Sequence, residues 1–136
     1  MGMSLGGYST ALLATVDREL AFAVPFIPLV SIADWARNEG RYVGTPEEQA
    51  LQHELLERAH RVVSPLARPP LVPRDRLVVV AGEADRITTF AQAERLAAHF
   101  QVPVVAFPGG HLLQLGRAEA FRTVARMLGA AGLLDG

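Results

Sequence analysis

The sequence predicts an α/β chain built on a small parallel sheet. Three short apolar runs, Leu20–Val24, Leu77–Ala81 and Val102–Phe107, are each too short for a helix and rich in residues that favour strands. Segments with helical spacing separate them. Strands that alternate with helices pair in parallel through crossover connections. About three parallel strands flanked by helices, with a long helical insertion after the first, are therefore expected.

The elements follow in order. Gly7 to Val16 is rich in Ala and Leu and reads as a helix, with Leu12, Leu13 and Val16 as its apolar face. Asp17-Arg18-Glu19 is a polar break, and Leu20–Val24 reads as a buried strand ended by Pro25. Residues 29–64 form the insertion. Within it, Thr45-Pro46-Glu47-Glu48 is a helix start: Thr45 can cap, Pro46 suits the first helical position and Glu48 completes a capping box. That helix runs to about Val63, with Leu51, Leu55, Leu56, Ala59, Val62 and Val63 on one side.

Ser64 to Arg76 holds four prolines and reads as an extended connection. Leu77–Ala81 should be a strand buried on both faces. Thr89, with Gln92 three positions on, starts a helix carrying Phe90, Ala93, Leu96, Ala97 and Phe100. Val102–Phe107 is the third strand. Pro108-Gly109-Gly110-His111 bends sharply, and Arg117 to about Ala131 is a last helix with Phe121, Val124, Ala125 and Leu128 facing inward.

Composition narrows the function. The 136 residues suit one domain, and half of them are apolar, enough for a core. A net charge of −1 gives no electrostatic reason to bind nucleic acid or anionic membrane. The absence of Cys excludes disulfides, thiolate ligands and a Cys nucleophile. No apolar run reaches the roughly 18–20 residues needed to span a bilayer, and no signal peptide is read at the N-terminus, so a cytoplasmic setting is expected. No metal motif or phosphate-binding Gly-Lys-Ser/Thr is present, so no cofactor is expected.

One spacing carries chemistry. Gly2-Met3-Ser4-Leu5-Gly6 has the pattern of a nucleophile elbow, in which Ser sits on a strained strand-to-helix turn and a side chain at either flanking Gly would clash. At this chain's Gly and Ser content about 0.03 chance matches are expected. Gly7 would let the following helix pack closely. A Ser hydroxyl needs a base within hydrogen-bond reach. Of the four His residues, His53 and His60 lie in the insertion helix and His99 ends a helix; only His111 follows a strand, in a loop that can aim its ring out of the sheet. The acid should follow Leu77–Ala81. Gly82-Glu83-Ala84-Asp85 offers two carboxylates, and Asp85 is favoured because Glu83 would still be leaving the strand. A loop cap or a pair with Arg86 is the alternative role for Asp85. Asp17, Asp34, Asp75 and Asp135 have no comparable setting. Ser4, Asp85 and His111 thus fall at the carboxyl ends of the strands, where ligands sit in such sheets.

The order Ser, Asp, His on an alternating sheet resembles the α/β-hydrolase family. The matching segments are Gly2-Met3-Ser4-Leu5-Gly6-Gly7, Val80-Ala81-Gly82-Glu83-Ala84-Asp85-Arg86-Ile87 and Pro108-Gly109-Gly110-His111. The resemblance implies a partial α/β-hydrolase fold, the C-terminal part of such a domain, with residues 29–64 as a helical cap. It implies Ser4 as nucleophile, His111 as general base and then acid, Asp85 as the orienting acid, and the backbone N–H of Leu5 as an oxyanion donor. The substrate would be a small acyl compound such as a carboxylic ester. Phe26, Ile27, Leu29 and Trp35 would then line an apolar pocket or simply pack the cap.

A full member of the family has eight strands, its fifth ending at the elbow, so the resemblance implies only the sixth to eighth here. The strand before the elbow and the loop supplying a second oxyanion donor would be missing. The expected reading is a serine hydrolase truncated at its N-terminus, through a misplaced start or a shortened gene product. The alternative is an inactive fragment or binding module. In either, Leu20–Val24 would be an unpaired apolar edge through which the chain could form an oligomer.

Overall fold

In a computed structural model, which describes residues 1–134, the sheet has four parallel strands rather than three, in the order β1-β2-β3-β4. Asp135 and the expected domain end at residue 136 lie outside the described residues. The additional strand is β1 (Gly2–Met3), which pairs Gly2 with Pro25 and Met3 with Phe26. The expectation that no strand precedes Ser4 is thereby corrected. Helix α1 (Leu5–Ala14) follows directly. β2 (Pro25–Phe26) then joins β3 (Val79–Gly82) at the Phe26–Val80 register, and β3 pairs along its whole length with β4 (Val104–Phe107).

The strand predicted at Leu20–Val24 lies slightly later in the chain, at Pro25–Phe26. Only Ala23 makes a bridge before it, to Leu77. Pro25 can occupy the strand because it pairs at its first residue. This segment is not the sheet edge. β2 lies between β1 and β3, and the Gly2 N–H donates to the Val24 carbonyl at 3.3 Å. Interaction through Leu20–Val24 as an open strand is therefore corrected: the outer strand on that side is β1.

Between β2 and β3 come α2 (Ile32–Asn38), α3 (Pro46–His60) and a short 3-10 turn over 61–63. α4 (Phe90–Phe100) links β3 to β4, and α5 (Arg117–Ala130) closes the chain. The capping box at Thr45 and Glu48 forms in full. The one expected at Thr89 and Gln92 does not, because the Gln92 amide oxygen accepts the backbone N–H groups of Val30 and Ser31 at 2.7 and 3.1 Å instead.

Side-chain alternation along β3 builds two cores. Val79 and Ala81 face α1 and α4, joining Ala11, Ala14, Leu96 and Phe100. Val78 and Val80 face α5, joining Phe26, Phe107, Ala120, Val124 and Leu128. Each fully buried Val contributes about 1.5–3 kcal/mol of apolar transfer. Phe26 stacks on Phe107 and Phe121 at centroid distances of 5.5 and 5.2 Å, which ties β2, β4 and α5 together.

Two helix faces differ from their patterns. α1 packs through Gly7, Ala11 and Ala14, while Leu13 and Val16 are exposed. The close approach is the reason: a Cβ at Gly7 would lie 2.9 Å from the Phe26 carbonyl oxygen, so only small residues fit against β2. α3 buries no residue, and Leu51, Leu55, Val62 and Val63 are exposed, because this helix packs on α2 rather than across the sheet. On α5, Ala120 is buried where Ala125 was expected. No helix among the described residues is long and apolar enough to cross a membrane.

Candidate active site

Four loops leave the carboxyl end of the sheet, one after each strand, and they hold Ser4, Ile27, Asp85 and His111. Ser4 sits between β1 and α1 with φ 55° and ψ −116°, a sparsely populated conformation for a residue with a side chain. Three backbone bonds hold it there. Its N–H donates to the Phe26 carbonyl at 3.0 Å, and its carbonyl accepts from Tyr8 and Leu29 at 3.0 and 3.2 Å. The Ser4 hydroxyl makes no capping bond to α1. Leu5 opens the helix, where backbone N–H groups have no carbonyl one turn earlier to receive them.

The two flanking glycines behave differently. A Cβ at Gly2 would stand 2.3 Å from the Gly6 carbonyl oxygen and 2.6 Å from the Thr10 hydroxyl, so glycine is required. A Cβ at Gly6 would meet nothing within 4 Å. The expected clash at Gly6 is absent, since a Cβ there would point into open space.

Asp85 and His111 are brought together. His111 Nδ1 lies 2.9 Å from Asp85 Oδ2, and the Asp85 side chain is 0% exposed while that of His111 is 14% exposed. Burying a carboxylate is costly unless its oxygens are satisfied. Here Oδ1 accepts the N–H groups of Ile87 and Thr88 at 2.8 and 2.9 Å, and Oδ2 faces His111 Nδ1 and the Thr88 hydroxyl, the latter at 3.1 Å. Asp85 thus closes its own loop and also holds the imidazole. Arg86 is exposed and forms no ion pair with it.

Glycines make the approach of these loops possible. A Cβ at Gly82 would be 2.4 Å from the Gly109 carbonyl oxygen, and one at Gly110 would be 2.8 Å from the Ala84 carbonyl oxygen. The Ala84 N–H donates to the Gly109 carbonyl at 3.2 Å across this contact.

Among the described residues no hydrogen bond joins Ser4 to His111. The His111 loop nevertheless abuts β1, since the Gln114 amide contacts both the Met3 sulfur and the His111 carbonyl at 3.2 Å. An open groove of about 560 Å³ is lined there by Met3, His111, Leu112, Leu113, Gln114, Leu115 and Arg117. Phe26 and Ile27 are core residues rather than pocket walls. Trp35 is half-buried, with the Arg41 guanidinium 5.7 Å from its ring centre. Sequence reading missed Thr88 and Gln114; a Thr three residues after a loop Asp is the one signal that points to Thr88.

A second polar cluster lies in the insertion. Asp34, His53 and Glu57 each bring a ligand-type atom within 4.8 Å of the others. Arg95 already bridges the two carboxylates, at 2.5 Å from Asp34 and 3.3 Å from Glu57, and supplies the compensating charge. Burial raises the Glu57 pKa, but hydrogen bonds from Ser31 and Arg95 and the nearby Arg95 and His53 charges outweigh it, leaving a net lowering. His60 contacts the Leu56 carbonyl and His99 the Arg68 carbonyl, each at 3.0 Å, away from Ser4 and Asp85.

No family model matches the sequence. Two uncharacterized proteins of Mycobacterium tuberculosis, from strains CDC 1551 and H37Rv, are each 36% identical over 138 residues, covering 98% of this chain and 33% of theirs. The chain therefore spans about a third of the length of these curated relatives. Among solved structures, puromycin hydrolase in a mutant form complexed with PGG gives a TM-score of 0.65 at 18% identity, over 98% of this chain and 22% of that one. An esterase of Pyrococcus furiosus gives 0.64 at 14% identity, over 95% of this chain and 52% of that one. The fold is a partial α/β-hydrolase fold. In this partial α/β-hydrolase fold the four strands present Ser4, Asp85 and His111 on one rim.

Proposed function

We propose that this chain carries serine-hydrolase chemistry directed at carboxylic esters or related acyl compounds. The observation that supports it most is the buried Asp85–His111 pair, 2.9 Å apart, on the sheet end where Ser4 is held at positive φ. The names of the structural neighbours, puromycin hydrolase and an esterase, agree with hydrolysis as the reaction class. A cytoplasmic setting belongs to this reading.

Nδ1 of His111 faces a carboxylate and so carries the ring proton, which leaves the Nε2 lone pair as base. Nε2 takes the Ser4 hydroxyl proton while Oγ forms a bond to the acyl carbon. The carbonyl oxygen becomes an oxyanion, to which the Leu5 N–H donates, aided by the positive end of α1. Asp85 stabilises the imidazolium. Nε2 then passes its proton to the departing alcohol as the C–O bond breaks. Water repeats the sequence on the acyl-enzyme and frees the acid. The exposed Leu112, Leu113 and Leu115 beside His111 favour an apolar substituent near the reacting carbonyl. The helical insertion over 29–64 takes the place of a cap in this reading, and the chain is the C-terminal part of a hydrolase domain. Turnover of p-nitrophenyl acetate by the chain, compared with Ser4→Ala, tests the assignment. Equal rates for the two would remove it.

A second reading is favoured by the free side of β1, where Met1, Met3 and Leu5 are exposed. There the chain is a non-catalytic module that adds another strand at β1. Light scattering separates the two: the module is oligomeric and inactive, and a monomer that turns over ester rules it out.

A further inference from the structure

We infer that Thr88 is a positioning residue that registers the Asp85–His111 pair against Ser4, a role that rests on Ser4 being the nucleophile of a hydrolase. Thr88 is only 4% exposed. Its hydroxyl oxygen lies 3.0 Å from the Ile27 carbonyl oxygen, 3.1 Å from Asp85 Oδ2 and 3.1 Å from His111 Nδ1.

A hydroxyl has one proton to give and two lone pairs. Ile27 and Asp85 offer acceptors only, so the proton serves one of them at a time. Directed at Ile27, it leaves a lone pair for the His111 Nδ1–H, which is then shared between hydroxyl and carboxylate. Turned to Asp85, it makes a charge-assisted bond to Oδ2. Either way the hydroxyl fixes the imidazole and the carboxylate in one arrangement.

The anchor at Ile27 gives the contact its consequence. Phe26 and Ile27 are consecutive at the end of β2. The Phe26 carbonyl receives the Ser4 N–H at 3.0 Å, and the Ile27 carbonyl receives the Thr88 hydroxyl. Two adjacent peptide groups therefore hold the nucleophile's backbone on one side and the acid–base pair on the other. Ile27 itself has φ 38°, unusual for a β-branched residue, and its N–H donates to the Val80 carbonyl at 2.7 Å. A misplacement of about 1 Å between reacting groups costs on the order of 100-fold in rate.

The test replaces the hydroxyl with a methyl of similar size. In the full chain, Thr88→Val should lower kcat on p-nitrophenyl acetate by about 10–100-fold while KM stays within about twofold. The downfield Nδ1–H proton resonance of His111 should shift or broaden in the same variant. Thr88→Ser should return both to near the parent values. An Nδ1–H resonance unmoved by Thr88→Val overturns the role, as does an unchanged kcat. If the parent chain shows no ester turnover, the hydrolase reading fails by itself, and the resonance still decides whether Thr88 orients the imidazole. Should Thr88→Val not fold, Thr88→Cys, close in volume and a weak donor, is read in the same way.

Discussion

Asp85 Oδ2 lies 2.9 Å from His111 Nδ1, and the carboxylate making this contact is fully shielded from solvent. Nothing in general packing requires an acid and an imidazole to meet in the interior at the ends of two neighbouring strands. The contact exists because two glycine-dependent close approaches, at Gly82 and Gly110, bring the loops after β3 and β4 together, and because two backbone N–H groups satisfy the other carboxylate oxygen.

Removing that carboxylate should cost both stability and activity. Asp85→Ala strands the Ile87 and Thr88 N–H groups and the imidazole, each a loss of about 1–3 kcal/mol where no water enters. We expect urea denaturation to report a destabilisation of about 3 kcal/mol. Asp85→Asn keeps the shape and isolates the effect on the imidazole. Its ester turnover should fall by about 10³–10⁴-fold.

The two glycines beside Ser4 should separate cleanly. Gly2→Ala forces a Cβ against the Gly6 carbonyl oxygen at 2.3 Å, so we expect a loss of at least about 1 kcal/mol and a disturbed Ser4. Gly6→Ala places its methyl in open space within α1 and should stabilise by about 0.5–1 kcal/mol. Thermal unfolding of the two variants checks the contrast.

The insertion should be acid-sensitive through Glu57. Its carboxyl is held below the ordinary value of 4.5, since the bonds from Ser31 and Arg95 outweigh the effect of burial. A lowered folded pKa contributes stability that is present above the unfolded value and lost as pH falls through the folded one. The urea midpoint should therefore fall below pH 4.5 more steeply in the parent chain than in Glu57→Gln. Equal slopes would show that the Ser31 and Arg95 bonds do not hold the carboxylate charged.

Much of this layout was legible because it rests on local rules. The strands around Leu77–Ala81 and Val102–Phe107 announce themselves as runs of Val, and β3 and β4 fall within a residue or two of them. Thr45 and Glu48 define a capping box that depends only on residues three apart. The faces of α1 and α3 were misread for the opposite reason. Hydrophobicity says which residues prefer burial, but not how near a neighbour comes, and α1 approaches β2 too closely for Leu. β1 was missed because two residues carry no periodicity; it forms through pairing with Pro25 and Phe26, more than twenty positions away. Thr88 was overlooked because its partners, Ile27 and His111, are brought to it only by the assembled sheet.

Fluorophosphonate labelling of the folded 136-residue chain, read by intact mass and peptide mapping, probes the Ser4–His111–Asp85 relay most directly. A single adduct on Ser4, lost in Ser4→Ala and in His111→Ala but retained in Ser9→Ala, is the expected result. A folded chain that takes up no probe, or that carries it on another residue, would contradict the relay.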